Sequence, residues 1–142
     1  DYTDDVLVME YVEGLKLREW IEKIEDPKNL KIVLRKLLDI LYTMDNIGLC
    51  HLELSRPQKH IIISREKPVI LDFETVSTET TKSNVTQVIN FIVFKRGFIS
   101  EKIRNMLGIK NLDQIRRALK QYKGERTEQR YLEILKLLNI IE

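Results

Sequence analysis

Apolar residues recur along the first part of the chain with the spacings of a buried strand and two amphipathic helices. The run Val6–Met9 predicts a strand, and Leu15–Ile24 predicts a first helix of about three turns. The broadest stripe extends over Leu30–Met44, with Asn29 as the predicted N-cap and Gly48 just beyond the last turn. This stripe is the strongest helical pattern in the sequence.

Two β-rich runs follow, His60–Ser64 and Pro68–Asp72, and a polar turn separates them, which predicts a hairpin. Thr75–Lys82 is rich in Ser, Thr and Glu and predicts a loop. The remainder is predicted to be helical, in four segments: Val85–Val93 capped by Ser83 or Asn84 and closed by Gly97, Ser100–Gly108, Leu112–Tyr122 after Asn111, and Arg126–Ile141.

These elements predict one α+β domain, mostly α, over the 142 residues, which contain only five glycines and three prolines. The single cysteine, Cys50, excludes an intramolecular disulfide, and no apolar run reaches the roughly 18 residues of a membrane span. We therefore expect a cytoplasmic protein that does not enter the membrane.

Charge is distributed unevenly along the chain. Residues 1–94 contain 16 acids and 12 bases, whereas residues 95–142 contain 12 bases and six acids. Basic residues on amphipathic helices usually form solvated faces. The alternative is a docking surface for RNA, a ribosomal particle or an acidic protein.

Ionisable residues cluster in the stretch Cys50–His60 and again in Asp72-Phe73-Glu74. A hairpin returns His60 and Asp72 to the same end, so we expect these two residues to converge with Glu53. Two carboxylates at the mouth of a hairpin suit a site that holds Mg²⁺ and orients a hydroxyl for phosphoryl transfer.

At these residues the sequence resembles the C-terminal lobe of an atypical, RIO-related, archaeal-type Ser/Thr protein kinase, over roughly residues 6–94. His51, Glu53 and Leu54 match the His-x-acid-Leu catalytic loop of that family, and Asp72-Phe73-Glu74 matches its Asp-Phe-Gly. The segment Val8–Gly14 is similar to the hinge strand that joins the two kinase lobes.

The resemblance implies a kinase-like C-terminal lobe of about six or seven helices, with a small hairpin that carries the metal-binding loop. It divides the chain into a hinge strand and connector (1–14), a catalytic part (15–94) and basic C-terminal helices (95–142). The implied cofactors are ATP and Mg²⁺, and the implied substrate is a protein with a Ser or Thr hydroxyl. The implied site residues are Glu53, Gln58, Lys59 and His60 in catalysis, Asp72 as metal ligand, Glu10, Tyr11 and Val12 at the adenine, and His51, Phe73 and Glu74 as supporting residues.

Several positions depart from the kinase pattern. Glu53 replaces Asp, Glu74 replaces Gly, and the catalytic Asn corresponds either to Gln58 or to His60, of which only the amide offers the oxygen that Mg²⁺ prefers. Lys59 neutralises a transferring phosphoryl group in one interpretation and is a solvated loop charge in the other. A zinc site is disfavoured, because the Cys and His spacing matches no usual structural site.

No segment resembles the Gly-rich phosphate loop, the β3 Lys or the αC Glu, so we expect the N-terminal lobe to be absent from these 142 residues. By themselves they are then expected to bind ATP weakly and to transfer nothing. Two alternatives remain open: a pseudokinase or nucleotide-binding scaffold, and a helical module that binds RNA or another partner through the basic C-terminal helices.

Overall fold

The computed structural model describes residues 13–51, 53–71, 76–77 and 82–142, and the predicted strand Val6–Met9 lies outside them. The described part is α+β and mostly helical, which confirms the fold class expected from the sequence. No helix in these ranges has the length and apolarity needed to cross a membrane.

In chain order, β1 precedes the first helix, and the other four strands lie between the second and third helices. The strands are β1 (Leu15–Lys16), β2 (Cys50–His51), β3 (Ile61–Ser64), β4 (Lys67–Ile70) and β5 (Val76–Ser77). The α-helices are α1 (Leu17–Lys23), α2 (Pro27–Asn46), α3 (Asn84–Ile89), α4 (Phe98–Leu107), α5 (Leu112–Gly124) and α6 (Glu128–Leu137).

The long helix α2 forms the centre of the core, but it begins earlier than the sequence pattern predicted. Asp26, not Asn29, is the N-cap, and its side chain accepts a hydrogen bond from the Lys28 N–H at 2.9 Å. Pro27 decides the start, because the first helical position needs no N–H and suits the fixed φ of proline. The buried stripe consists of Leu30, Val33, Leu34, Leu37, Leu38, Leu41, Met44 and Asp45.

The predicted hairpin is present and belongs to a three-stranded antiparallel sheet in the order β1-β3-β4. Ile61 pairs with Ile70, and Ser64 pairs with Lys67, so the connecting loop contains only Arg65 and Glu66. Both loop residues have left-handed φ angles, 51° and 65°, as a type I′ turn requires. A second, two-stranded antiparallel sheet joins β2 to β5.

Helix α3 is capped by Ser83 and continues into a π-helical segment, Asn90–Phe94. The Lys95 N–H donates to the Asn90 carbonyl at 2.8 Å, the i→i+5 bond of a π-helix. The expectation that Gly97 closes this helix was wrong. Gly97 has a φ of 136°, which favours glycine, and it is the N-cap of the following helix, α4.

The carboxylate of Asp45 is buried, only 4% exposed, and joins three helices. Five hydrogen bonds reach it: from the Ser83 hydroxyl (2.7 Å), the Asn84 N–H and side-chain amide (2.7 and 2.8 Å), the Val85 N–H (3.3 Å) and the Tyr122 hydroxyl (2.8 Å). A buried charge is stable only when it is satisfied in this way. The end of α2, the start of α3 and the last turns of α5 are therefore held to one point.

We predict that Asp45→Ala lowers the free energy of unfolding by about 3 kcal/mol or more, because it leaves buried donors unpaired on several elements. Urea denaturation followed by circular dichroism measures the change. The matched control is Asp113→Ala, which removes an exposed carboxylate 3.5 Å from Arg116 and should change stability by less than about 0.5 kcal/mol. Equal, small effects of the two substitutions would contradict the central role of Asp45.

We predict that Gly14→Ala destabilises the sheet, whereas Gly124→Ala does not. A Cβ on Gly14 would lie 2.5 Å from the Ile63 carbonyl oxygen in the neighbouring strand, but a Cβ on Gly124 meets nothing within 4 Å. The first change should lower stability by about 1–3 kcal/mol, and the second should be neutral or slightly stabilising. Thermal unfolding of the two variants compares them directly, and a stable Gly14→Ala protein would show that β1 does not pack as described.

Candidate functional site

His51 lies at the end of β2 and connects two segments of the candidate site. Its Nδ1 accepts a hydrogen bond from the Glu53 N–H at 3.2 Å, and its Nε2 lies 2.7 Å from the Leu71 carbonyl oxygen. The N–H can only donate and the carbonyl can only accept, so the geometry corresponds to the tautomer with its proton on Nε2. This fully buried imidazole bridges the loop of Glu53 to the end of the hairpin.

His60, at the other end of the loop, also binds Leu71 at the end of the hairpin. Its carbonyl accepts a hydrogen bond from the Leu71 N–H at 2.7 Å, and its own N–H donates to the Pro57 carbonyl at 3.1 Å. The imidazole is 8% exposed and lies against that of His51, with ring centroids 5.2 Å apart. Both backbone polar groups of Leu71 are therefore held by the two histidines that flank the loop.

The loop between the two histidines is anchored by apolar side chains and presents its charges to solvent. Leu54 is fully buried and Pro57, which begins a short 3-10 helix ending at Lys59, is buried as well. Glu53 and Lys59 are exposed. The Arg56 N–H donates to the Glu53 carbonyl at 3.1 Å and tightens the turn.

Gln58 is the one predicted catalytic residue of this loop that carries an unsatisfied buried atom. Its Oε1 is inaccessible to solvent and has no hydrogen-bond partner. A buried acceptor left in this way costs free energy unless a ligand or an ion completes it. The amide oxygen is also a suitable ligand for a hard cation such as Mg²⁺.

The predicted site residues are described only in part. Glu53, Gln58, Lys59 and His60 lie on one loop, and His51 joins that loop to Leu71, the residue before Asp72. The remaining predicted residues lie outside the described residues: Glu10, Tyr11, Val12, Asp72, Phe73 and Glu74. In the described ranges, no group of three or more His, Cys, Asp or Glu side chains forms a metal site.

Asn84 supports the loop, and sequence reasoning identified it only as a possible helix cap. Its Oδ1 accepts the His51 N–H at 2.8 Å, and its Nδ2 donates to the Leu49 carbonyl at 2.7 Å and to Asp45. The sequence contained one signal of this arrangement. Asp45 stands four residues after Leu41, on the apolar face of α2, where a charge needs buried partners.

Burial also affects two titratable groups beside this support. Burial, followed by the negative charge of Asp45, raises the pKa of the Tyr122 hydroxyl well above its usual value, so the hydroxyl remains a donor to Asp45. Burial likewise raises the pKa of the Cys50 thiol, whose sulfur accepts a hydrogen bond from the Gln87 amide at 3.5 Å. Cys50 is therefore a buried, packed thiol with a raised pKa.

A hollow of about 530 Å³ lies elsewhere, between the start of the described chain and the hairpin turn. Glu13, Trp20 and Arg65 are among its lining residues. None of the predicted site residues that the structure describes lines it. The chemistry that the described site offers lies on the loop itself, which contains an exposed carboxylate, an exposed ammonium and a buried amide oxygen without a hydrogen-bond partner.

Comparison with known proteins gives one informative relationship. No family model matches the chain. The uncharacterized protein MJ1211 of Methanocaldococcus jannaschii is 32% identical over 117 residues, which cover 81% of this chain and 98% of that protein. Identity at this level over most of both sequences shows common descent. The chain belongs to the same family as MJ1211.

Proposed function

We propose that the chain is the C-terminal lobe of a protein kinase-like phosphotransferase that uses ATP and Mg²⁺ and acts on Ser or Thr hydroxyls. The observation that carries the proposal is the double anchorage of Leu71 to His51 and His60. This anchorage connects the loop of Glu53 to Leu71, the residue that directly precedes Asp72 in the chain. The two acidic residues of the proposed site therefore belong to segments that adjoin the same residue. Phosphoryl transfer depends mainly on such positioning.

In this proposal Glu53 orients the attacking hydroxyl and accepts its proton. Its backbone is held on both sides, because its N–H donates to His51 and its carbonyl accepts from Arg56, while its side chain is exposed to a substrate. Glutamate is one methylene longer than the aspartate of the resembled family. A fixed backbone allows the longer side chain to be directed consistently.

The residues available for a metal fit Mg²⁺ better than a softer ion. Gln58 has a buried amide oxygen without a partner, and Asp72 would add a carboxylate. The His60 ring packs against His51 and is a poor ligand for magnesium, which favours Gln58 over His60 in the role of the catalytic Asn. When bound, Mg²⁺ would neutralise phosphate charge, and the exposed ammonium of Lys59 would add to this effect.

The backbone of Glu10–Val12 would hold the adenine, as the resemblance implies. That segment precedes β1, which pairs with β3 through Leu15 and Ile63, and β3 follows the candidate loop directly. Because β1 is antiparallel to β3, the chain enters the sheet at the hairpin-turn end of β3, away from the candidate loop, and the adenine role of Glu10–Val12 rests on the resemblance.

The test uses the protein as it occurs naturally, with Mg²⁺ and ATP. Asp72→Asn should weaken Mg²⁺-dependent ATP binding at least tenfold in isothermal titration calorimetry, because it removes the metal carboxylate. Glu53→Gln should leave binding within about twofold and lower phosphoryl transfer to itself or to casein by roughly a hundredfold or more.

Glu133→Gln is the matched control, since Glu133 is an exposed carboxylate on α6, and it should change neither measurement. ATP binding that is insensitive to Asp72→Asn would refute the proposed nucleotide site. If the unmodified protein binds ATP but transfers no phosphoryl group, the result favours a nucleotide-binding scaffold over an enzyme.

A further inference from the structure

Three adjoining hollows form a groove along one side of the described chain, and we call it the π-segment groove. Their volumes are about 120, 360 and 290 Å³. The first and second share Phe91 and Lys95 as lining residues, and the second and third share Asn90 and Phe94. The π-helical segment Asn90–Phe94 is thus the floor that connects all three.

The charged side chains that line the π-segment groove are all basic. Among the described residues no carboxylate lines any of the three hollows, whereas six cations do: Arg18, Lys95, Arg96, Arg116, Lys120 and Lys123. Two of the six have acidic neighbours outside the groove, at 3.9 Å for Arg18 with Glu22 and 3.5 Å for Arg116 with Asp113. These ion pairs are exposed and therefore weak. The groove suits a linear polyanion.

Three phenylalanines line the same groove, and each has a cation over its ring. Arg116 lies 4.6 Å from the centroid of the Phe94 ring, and the ammonium of Lys95 lies 5.3 Å from that of Phe91. The ammonium of Lys102 lies 5.9 Å from the centroid of Phe98. Phe98 is 55% exposed, although it is large and apolar. Phe91 is buried and Phe94 is half-buried, so Phe98 is the ring of the three that offers an exposed planar face beside a positive charge, the kind of surface on which an unpaired base stacks.

Neutral hydrogen-bonding groups complete the lining. Asn90 presents an amide in the middle hollow and Ser55 adds a hydroxyl from the candidate loop, whereas the Gln87 amide nitrogen, which also lies there, donates to Cys50 and the His51 carbonyl. Amides and hydroxyls can bond the ribose 2′-hydroxyl, the group by which proteins distinguish RNA from DNA. An acidic protein segment would use the six cations but would have no need of the aromatic faces.

We infer that the π-segment groove binds single-stranded RNA, with the cations on phosphates and Phe98 on a base. This surface differs from the basic C-terminal helices considered as a whole, because it combines α1, the π-helical segment, α4 and α5. The inference stands apart from the proposed phosphotransferase activity, and the experiment below requires no ATP.

The experiment measures binding of a fluorescein-labelled U12 RNA by anisotropy as a function of KCl concentration. The variant Arg116→Ala/Lys120→Ala/Lys123→Ala should weaken binding about a hundredfold at 0.1 M salt and reduce the slope of log K against log salt by about 2, since three phosphate contacts are lost. The matched control Lys110→Ala/Arg117→Ala/Lys136→Ala removes the same charge at exposed positions outside the groove and should keep the slope and affinity nearly unchanged.

Phe98→Ala tests the aromatic contribution and should weaken RNA binding about tenfold without changing the salt slope. All seven substituted side chains are exposed, so unfolding midpoints should stay close to that of the unmodified protein. Equal losses in the two triple variants would show binding by overall charge and would overturn the inference. If polyglutamate binds as tightly as U12, the inference is also overturned. The same holds if dU12 binds as tightly as U12 and Phe98→Ala has no effect on the affinity.

Discussion

A buried carboxylate that must be satisfied from all sides is the constraint on which this structure depends. Asp45 lies inside the protein and accepts hydrogen bonds from backbone, amide and hydroxyl donors. Its partners lie between 38 and 77 residues further along the chain. Apolar packing alone is nondirectional, whereas this network fixes how α3 and α5 sit against the end of α2. One side chain therefore converts a packed set of helices into a specific arrangement.

Asn84 connects the hydrogen bonds around Asp45 in the core to the candidate loop. Both polar atoms of its side-chain amide form hydrogen bonds. Nδ2 donates to Asp45 and to the Leu49 carbonyl, and Oδ1 accepts from the His51 N–H. His51 then orders the loop and the hairpin end through both ring nitrogens. The residues that anchor the loop are therefore buried, whereas Glu53 and Lys59 are exposed. A reactive side chain that must be held in position needs such a fixed backbone.

The sequence predicted the features that show in the local pattern of apolar residues, and it missed those that depend on contacts between residues far apart in the chain. The stripe of α2 and the two β-rich runs of the hairpin identified both elements correctly, and the loop of Glu53 and His60 was placed beside the hairpin end. The sequence predicted Asn29 as the cap of α2, whereas Asp26 is the cap, because Pro27 suits the first helical position and the helix starts there. Gly97 was assigned to the wrong helix because glycine suits either end. The role of Asn84 depends on contacts more than 30 residues away, which no local pattern shows.

The π-helical segment Asn90–Phe94 makes the surface around it sensitive to chain length. A π-helical turn holds one residue more than the α-helix it interrupts, and here the guanidinium of Arg104 bonds the Val93 carbonyl at 2.7 Å near its end. Deleting a single residue would convert the segment into an ordinary α-helical turn, which keeps the direction of the residues beyond it but shortens the helix and removes one of the side chains that line the π-segment groove. Homologues should therefore tolerate insertions and deletions in the exposed loops more readily than within these five residues.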